Sequence, residues 1–414
     1  MGRKKTVLIT QAVAICGALC IVFSKSVALF YTGNFLAGYT NGVFLGVVPI
    51  YTGEINQPQI RKFTGTFLAN TFFLGFSITY LVGWLSTWKV AAYIQTVWPC
   101  IIFICLLICP ESPTWLMSKG RRDLAVDTLR KLRGDTEEAT EEIARIEDNL
   151  EKQKLSTTES VQSTYAKDQL KLVTKGTFIR PCLVVTTLMA VCWQWTGAIA
   201  LEFYTPDLLK KFELPVDPYL ASTALGFYQL LGGVLGILIS SYVPRRKFYI
   251  SSGICIFIGA FMLATIIHLR NYEFFIDTLK SSAALRWIPV IALLVYFAGY
   301  STGYVSVCFM LLGEILPSNG RELGSFVIVQ CTNISSIILV KFVPDLQEIL
   351  GLDKLFWLFS GVAMFSIIFA YFCVPETFEK TLEEIEEHYR KICYSRIRKR
   401  STQSIPLSIN NVDV

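Results

Sequence analysis

The sequence GEINQPQIRK, residues 53–62, recurs as GEILPSNGRE at residues 313–322. In each copy a glutamate ends a hydrophobic segment, a proline-containing loop follows, and an arginine begins the next segment seven positions after the glutamate. A carboxylate and a guanidinium at neighbouring helix ends pair when the ends are close and separate when they part. Such a repeat in a hydrophobic chain predicts two related halves with a charged element at the same point of each.

Composition places the chain in a lipid bilayer. Of its 414 residues, 53% are hydrophobic and 17% are charged, and the mean hydropathy is +0.48. A helix needs roughly 20 apolar residues to cross a hydrocarbon core about 30 Å thick. Windows of that length cover about residues 6–24, 28–51, 64–86, 89–109, 181–209, 219–243, 247–269, 284–312, 322–345 and 354–374. Because lipid offers the backbone no hydrogen-bond partners, we predict an all-α membrane protein with about ten transmembrane helices.

The distribution of lysine and arginine predicts the orientation. An even number of spans puts both termini on one side, and the loops on the cytosolic side carry more basic residues. These are Arg3, Lys4 and Lys5; Arg61 and Lys62; the basic residues of 110–180; Arg245, Arg246 and Lys247; Arg321; and the tail around Arg396 to Arg400. We therefore expect cytosolic termini, and the net charge of +6 requires no nucleic-acid partner.

Cysteine usage and the polar residues of the spans indicate no catalytic or metal chemistry. The twelve cysteines lie mostly in or beside the hydrophobic windows, without a metal-type CxxC pair, which predicts neither a disulfide framework nor a metal site. No span combines a nucleophile with a base or a cluster of metal ligands, so we expect neither an enzyme nor a cofactor.

The polar segments divide the chain into four parts. Residues 1–109 are predicted to form an N-terminal lobe with four transmembrane helices, and residues 181–374 a C-terminal lobe with six. Between them, residues 110–180 are predicted to be a cytosolic helical loop, and residues 375–414 a cytosolic tail.

Two further motifs carry a resemblance to a known family. They are PESPTWL at 110–116, followed by KGR at 119–121, and VPET at 374–377, followed by TLEEI at 381–385. Together with the two Glu-x6-Arg elements, these motifs make the chain resemble the sugar-porter branch of the major facilitator superfamily. Within that branch, the chain resembles the insect facilitated trehalose transporter-like members. The resemblance covers essentially the whole chain and implies a two-lobed helical bundle whose central cavity opens alternately to either side.

The resemblance also implies that the N-terminal lobe is incomplete. Family members typically have twelve spans, six per lobe, with a basic loop between the second and third. GRKK at residues 2–5 stands where that loop would end. The windows 6–24 and 28–51 then correspond to the third and fourth spans of the family, and the first two are expected to be missing.

Four residues are implied as the substrate site. The family motif Gln-Gln-x-x-Gly-x-Asn-x-x-x-Tyr-Tyr falls on residues 193–204, where Gln194, Gly197 and Tyr204 match. In the next helix Gln229 stands about where the family has a sugar-contacting Asn. Sugar sites need amides and aromatic faces inside the membrane. The alternative for each glutamine is a structural hydrogen bond between helices.

Other positions depart from the family pattern. Trp193 replaces the first Gln of that motif, and VSVCF at residues 305–309 replaces a Gly-Pro-x-Pro-Trp segment. A helix without those prolines is expected to be straighter. Glu202 lies near the outer end of its span, where the alternatives are a gating or titrating group and an exposed mouth position, and we expect the exposed position.

These observations predict a plasma-membrane carrier that moves a neutral sugar, trehalose or a hexose, by facilitated diffusion. Its cytosolic gate would comprise Glu54 with Arg61 and Glu314 with Arg321, and Glu111 and Glu376 would be further acidic partners. The lost amides and prolines and the missing spans leave an alternative: a non-transporting membrane sensor or partner protein derived from a sugar porter.

Overall fold

The computed structural model describes most of the hydrophobic chain. The described residues are 2–56, 58–134, 140, 142–144, 146–148, 179–212, 216–240, 242–270, 287–315 and 321–377, and the side chains of 45, 49, 58–66, 68–69, 179–181, 312–314 and 321–323 lie outside that description. Most of the predicted cytosolic loop and tail therefore falls outside the described residues. Within them there is no β-strand, which confirms the all-α fold class.

The helices follow the predicted windows closely. They are α1 (Arg3–Val22), α2 (Val27–Ile55), α3 (Pro58–Leu85), α4 (Trp88–Ile108), α5 (Pro113–Ser118), α6 (Arg122–Arg133), α7 (Ile179–Trp195), α8 (Ala198–Lys211), α9 (Pro218–Ser240), α10 (Arg245–Leu269), α11 (Ile288–Gly299), α12 (Val305–Ile315), α13 (Arg321–Leu350) and α14 (Leu352–Cys373), with a π-helical turn at Tyr300–Tyr304 between α11 and α12.

Within the described residues, nine segments are long and apolar enough to cross a membrane. Two of them each combine two successive helices: α7 with α8, and α11 with the π turn and α12. The third predicted window lies in α3. Among the described residues, the apolar part of this helix is Asn70–Leu85, which is shorter than the nine candidate spans. The protein is thus a multi-pass helical membrane protein, and the predicted number of ten spans stays a prediction.

The chain forms two compact units. One comprises Met1–Tyr165 with Tyr219–Gly226, and the other comprises Ala166–Pro218 with Phe227–Val414. The first unit contains α1 to α6, and the second contains α7, α8, most of α9 and α10 to α14. The predicted boundaries between lobe, loop and tail remain predictions.

In the first unit, α1 and α2 pack at two glycines. A Cβ atom at Gly33 would lie 2.6 Å from Cγ1 of Ile21 and 2.8 Å from the carbonyl oxygen of Gly17. A Cβ atom at Gly17 would lie 2.9 Å from Cβ of Leu36. Small residues let helix backbones approach closely in a membrane, where no hydrophobic force drives helices together. The contact between α1 and α2 therefore depends on the absence of side chains at these two positions.

In the second unit, α10 packs against α14 and against the π turn through a group of buried hydroxyls. The rings of Tyr249 and Tyr304 stack with centroids 4.5 Å apart. Both phenols bond to the Ser366 hydroxyl, at 2.7 Å and 2.6 Å. Because buried polar groups stabilise a structure only when they are satisfied, this group fixes the relative placement of three elements.

Gly33→Ala tests the close approach of α1 and α2. We expect the substitution to lower the free energy of unfolding by about 1–3 kcal/mol, the usual effect of overpacking, and thermal unfolding of the detergent-purified protein measures it. Gly42→Ala on the same helix is the control, since no described atom lies within 4 Å of a Cβ there. Equal melting temperatures for the two variants would contradict this packing.

Candidate functional site

In the first unit, Glu111 binds the start of α1. Its Oε1 accepts the backbone N–H of Lys4 at 2.9 Å and that of Ser112 at 3.1 Å. The first N–H groups of a helix have no partner within the helix, and the helix dipole places partial positive charge there. A carboxylate at this point satisfies a donor and offsets that charge. The absence of a side chain at Gly2 leaves room for the Glu111 carboxylate, because a Cβ atom at this position would collide with it.

Glu54, at the end of α2, joins the same cluster. Its carboxylate accepts from Arg3 Nη2 at 3.3 Å and from the Ser112 hydroxyl at 2.5 Å, and its side chain is 17% exposed. The Tyr51 hydroxyl donates to the Pro110 carbonyl at 2.6 Å. The end of α2, the start of α1 and the PES sequence that follows α4 are therefore held together by charge-assisted hydrogen bonds.

The cluster extends to α6 through Arg133. Its Nη1 donates to the Ile55 carbonyl at 2.8 Å, and its Nε donates to Glu142 at 2.9 Å, with 7% of the side chain exposed. Arg133 thus satisfies a carbonyl at the C-terminal end of α2, where cations are favoured. Nearby on α6, the exposed Arg122 donates a hydrogen bond to the Glu147 carboxylate, which raises the pKa of Arg122.

The second unit repeats this arrangement with different residues. Glu376 accepts the backbone N–H of Arg245 at 2.9 Å and that of Arg246 at 3.2 Å, at the start of α10. The Arg246 guanidinium also lies over the Tyr371 ring, 4.9 Å from its centroid. In both units the glutamate follows a proline at the end of a hydrophobic helix and caps a helix that begins with consecutive basic residues.

The sequence correspondence behind this repeat is direct. GRKK at residues 2–5 aligns with PRRK at 244–247, and PES at 110–112 aligns with PET at 375–377. By the same correspondence, Arg3 matches Arg245 and Glu54 matches Glu314. Sequence reasoning missed Arg3, Ser112 and Arg133; a comparison of the two basic tetrapeptides would have pointed to Arg3.

The structure describes three of the six predicted gate residues. Glu54, Glu111 and Glu376 have the contacts given above, whereas the side chains of Arg61, Glu314 and Arg321 lie outside the described set. The pairing of Glu54 with Arg61 and of Glu314 with Arg321 stays a prediction. Glu111 and Glu376 bind helix N-termini, a role that their prediction as acidic partners did not specify.

The two predicted amides are buried within the second unit. Gln194 on α7 is 3% exposed, and Gln229 on α9 is 2% exposed. Within the described part of the chain, the Oε1 atom of each has no hydrogen-bond partner. A buried acceptor without a partner costs about 1–3 kcal/mol, so each amide is an acceptor that a hydroxyl-bearing ligand can satisfy.

Gly197 lies at the break between α7 and α8. Its φ is +89°, a left-handed conformation, and a Cβ atom there would collide with the ring of Phe359. The Tyr296 hydroxyl donates to the Thr196 carbonyl at 3.0 Å, which satisfies an acceptor left by the break. The structure therefore gives Gly197 a backbone role, since only glycine adopts this conformation without strain.

Tyr204 is half-buried and lines a cavity of about 240 Å³. The lining combines polar groups, such as Asp207 and Gln347, with the aromatic rings of Phe356 and Phe359. Gln194, Gly197 and Gln229 are not among the lining residues. The structure thus places Tyr204 at a cavity that the other three predicted site residues do not line.

Glu202 does not occupy an exposed mouth position. Its side chain is on α8, and the residue is 2% exposed, so that expectation is wrong. The Glu202 face of α8 therefore packs into the protein interior, together with the buried Leu201 and Thr205.

The expectation of a straighter helix at residues 305–309 needs qualification. The proline-free segment is regular α-helix, but the π turn at Tyr300–Tyr304 directly precedes it. π turns interrupt the regular hydrogen-bond ladder and occur often at functional sites. A point of irregularity thus lies one turn before the position of the family's prolines.

Glu111→Ala and Glu376→Ala test the two helix caps, and each variant is the control for the other. Loss of a cap costs about 0.5–2 kcal/mol and lets the first helical turn fray. We expect faster amide hydrogen exchange at residues 4–6 in Glu111→Ala only, and at 245–247 in Glu376→Ala only. Unchanged exchange at both sites would contradict the capping role.

Comparisons with known proteins agree with this architecture. The profile of the family described as "Sugar (and other) transporter" matches residues 1–389. The chain is 28% identical to "Facilitated trehalose transporter Tret1" of Apis mellifera ligustica, covering 94% of this chain and 74% of the relative. It is 27% identical to "Trehalose transporter 1" of Drosophila melanogaster over 99% of this chain, and spans 46% of that relative's length.

Solved structures show the same fold. The proton:xylose symporter XylE bound to 6-bromo-6-deoxy-D-glucose matches with a TM-score of 0.73 at 20% identity, covering 94% of this chain and 83% of that one. An inward open conformation of the xylose transporter XylE from E. coli matches with a TM-score of 0.69, also at 20% identity, covering 93% and 82%. The fold is that of the major facilitator superfamily, and the chain belongs to the sugar transporter family.

Proposed function

We propose that this chain is a facilitative sugar carrier of the plasma membrane, with both termini in the cytosol, and that its substrate is trehalose or a hexose. The observation that carries the proposal is the pair of buried amide oxygens on Gln194 and Gln229, which have no partner among the described residues. The names of the insect relatives favour trehalose as the first sugar to test.

A sugar fits these acceptors chemically. Each hydroxyl of a neutral sugar donates one hydrogen bond, and an amide oxygen can accept it. Because both groups are neutral, the contact places no charge inside the membrane. Bound sugar would satisfy oxygens that are otherwise buried without a donor. The free energy released by that satisfaction favours the sugar over an apolar solute of similar size.

The capped helix starts provide the second part of the mechanism. Glu54 and Glu111 hold the beginning of α1 in one unit, and Glu376 holds the beginning of α10 in the other. Hydrogen bonds to a carboxylate are stronger than hydrogen bonds between neutral groups. We infer that Glu54, Arg61, Glu314 and Arg321 complete a cytosolic gate, whose charge pairs form in one facing state and separate in the other.

The positive-inside rule supports the orientation. The basic residues at the starts of α1 and α10 are Arg3, Lys4, Lys5, Arg245, Arg246 and Lys247. By this rule the basic start of each helix lies in the cytosol.

Gln194→Leu and Gln229→Leu test the substrate site. Leucine keeps the approximate volume but cannot accept a hydrogen bond, so we expect uptake of radiolabelled trehalose at subsaturating concentration to fall about tenfold for each, equivalent to about 1.4 kcal/mol. Removing a buried unsatisfied oxygen should leave thermal stability equal or higher.

The control for both variants is Gln95→Leu, which removes an exposed amide from α4. Its uptake should match that of the parent protein. Normal uptake in both Gln194→Leu and Gln229→Leu would refute the assignment of the site, and an absence of uptake by the parent protein would refute the carrier function.

The correspondence between Arg3–Glu54 and Arg245–Glu314 gives a charge-swap test of the gate. We expect Arg245→Glu and Glu314→Arg each to slow uptake roughly tenfold or more, since charged hydrogen bonds contribute about 1.5–3 kcal/mol, and the double variant to recover part of the loss.

Arg246 supplies the matched control, because the correspondence between the two units assigns it no carboxylate partner and its guanidinium lies over the Tyr371 ring. Arg246→Glu combined with Glu314→Arg should recover nothing. If the Arg245 swap restores no more activity than the Arg246 swap, the pairing in the second unit is wrong.

A further inference from the structure

We propose that a cavity in the second unit holds one acyl chain of a zwitterionic phospholipid, and that this bound lipid supports the helix break at Gly197. The cavity is the one that Tyr204 lines, between α8, α13 and α14, with a volume of about 240 Å³. The proposal concerns lipid binding, so its outcome does not depend on whether the chain transports sugar.

Prolines inside two of these helices give a physical reason for the space. Pro206 lies within α8 and Pro344 within α13. A proline in the interior of a helix kinks it, and a kinked helix does not pack closely along its whole length. Protein interiors otherwise contain few voids larger than a water molecule. The cavity therefore has room for an occupant much larger than water.

The lining changes from polar to apolar along the membrane-spanning segments. At one end, where Cys182–Lys211 and Gly324–Leu350 finish and Leu352–Cys373 begins, the lining side chains are charged or amide groups, namely Asp207, Lys211, Gln347 and Glu348. Further along the helices they are buried apolar groups, namely Leu201, Val343, Phe356 and Phe359. Both Ala200 and Lys211 line the cavity, which therefore extends about 16 Å along α8 at 1.5 Å per residue.

This gradient matches the orientation of a lipid. The ends of spanning helices lie at the level of the lipid head groups, and their interiors lie at the level of the acyl chains. A ligand that fits both halves has a polar head at the helix ends and an apolar chain directed into the membrane. A free sugar would instead place hydroxyl groups against the apolar half, where they lack hydrogen-bond partners.

The charges at the polar end favour a zwitterionic head group. Asp207 and Glu348 are acidic, Lys211 is basic, and all three are exposed. Asp207 also pairs with Lys210 at 3.3 Å, and Arg270 donates to the Lys211 carbonyl at 3.2 Å. Carboxylates attract an ammonium group, and a lysine ammonium attracts a phosphate. Groups of both signs thus fit a head that carries a cation and an anion better than a purely anionic head.

Phe359 connects the cavity with the helix break. Its buried ring lines the cavity and packs against Phe356, with the ring centroids 6.0 Å apart. The same ring lies against Gly197, where a Cβ atom would be 2.4 Å from Cδ2 of Phe359. An acyl chain in the cavity therefore contacts this ring and limits its movement away from Gly197. Because spanning helices change shape at such breaks, the bound lipid would stabilise the break between α7 and α8.

The experiment counts phospholipids bound to the delipidated full chain by native mass spectrometry. The probes are phosphatidylcholine, which is zwitterionic, and phosphatidylglycerol, which is anionic, with the same acyl chains. Leu208 lines the cavity and is 6% exposed, so Leu208→Trp fills the space that the chain would occupy. We expect the parent protein to bind one more phosphatidylcholine than this variant. Phe203→Trp, which enlarges a side chain that is 61% exposed on α8, should keep the parent count.

Glu348→Lys tests the head group without altering the interior of the cavity. With both lipids present in equal amounts, we expect the parent protein to prefer phosphatidylcholine. The variant should shift this preference towards phosphatidylglycerol by about threefold or more, the effect of reversing one exposed charge. Asp345→Lys is the control, because Asp345 is exposed on the same helix but does not line the cavity.

Amide hydrogen exchange tests the link to the break. Added phosphatidylcholine should slow exchange at residues 198–201 in the parent protein and leave it unchanged in Leu208→Trp. Equal lipid counts for the parent protein and Leu208→Trp, no preference of the parent protein between the two lipids, or no slowing of exchange would each overturn the proposal. If Leu208→Trp does not fold, the comparison of Glu348→Lys with Asp345→Lys decides, and equal preferences in these two variants would overturn it.

Discussion

The structure depends on one interaction that occurs once in each unit: a glutamate carboxylate accepts backbone N–H groups in the first turn of a membrane-spanning helix, one in α1 and two in α10. Glu111 does this for α1 and Glu376 for α10. The start of a helix within or beside a membrane must satisfy its unpaired N–H groups, and consecutive basic residues at the same point add positive charge. The glutamate offsets both, and it also ties the end of one spanning helix to the start of another.

That interaction explains why the charged motifs of this chain are short and far apart in sequence. PES and PET follow α4 and α14, whereas GRKK and PRRK mark the starts of α1 and α10. Around the first pair, Arg3, Ser112, Arg133 and Tyr51 bind the end of α2 to the same cluster. The Glu-x6-Arg repeat is thus one part of a larger repeated element, whose basic start lies 51 residues before Glu54 and 69 before Glu314, and whose capping glutamate lies 57 and 62 residues after them.

The sequence predicted the fold class and the approximate helix windows because hydrophobic length is a strong signal in a membrane protein. It also predicted that Gln194 and Gln229 lie in spans, and the structure shows them buried. It did not predict the π turn at Tyr300–Tyr304, which contains no proline to mark an interruption of the helix. The prediction that Glu202 is exposed was wrong. A position near the end of a helix does not show which face of that helix packs into the protein interior.

Sugar transport by alternating access is the central claim, and counterflow measures it most directly. Proteoliposomes that contain the full chain are preloaded with unlabelled trehalose and then diluted into labelled trehalose. The account predicts that label accumulates transiently above its equilibrium level, and that preloading accelerates its entry, because the same site carries sugar in both directions. Entry of label at the rate of protein-free vesicles, with or without preloading, would contradict it.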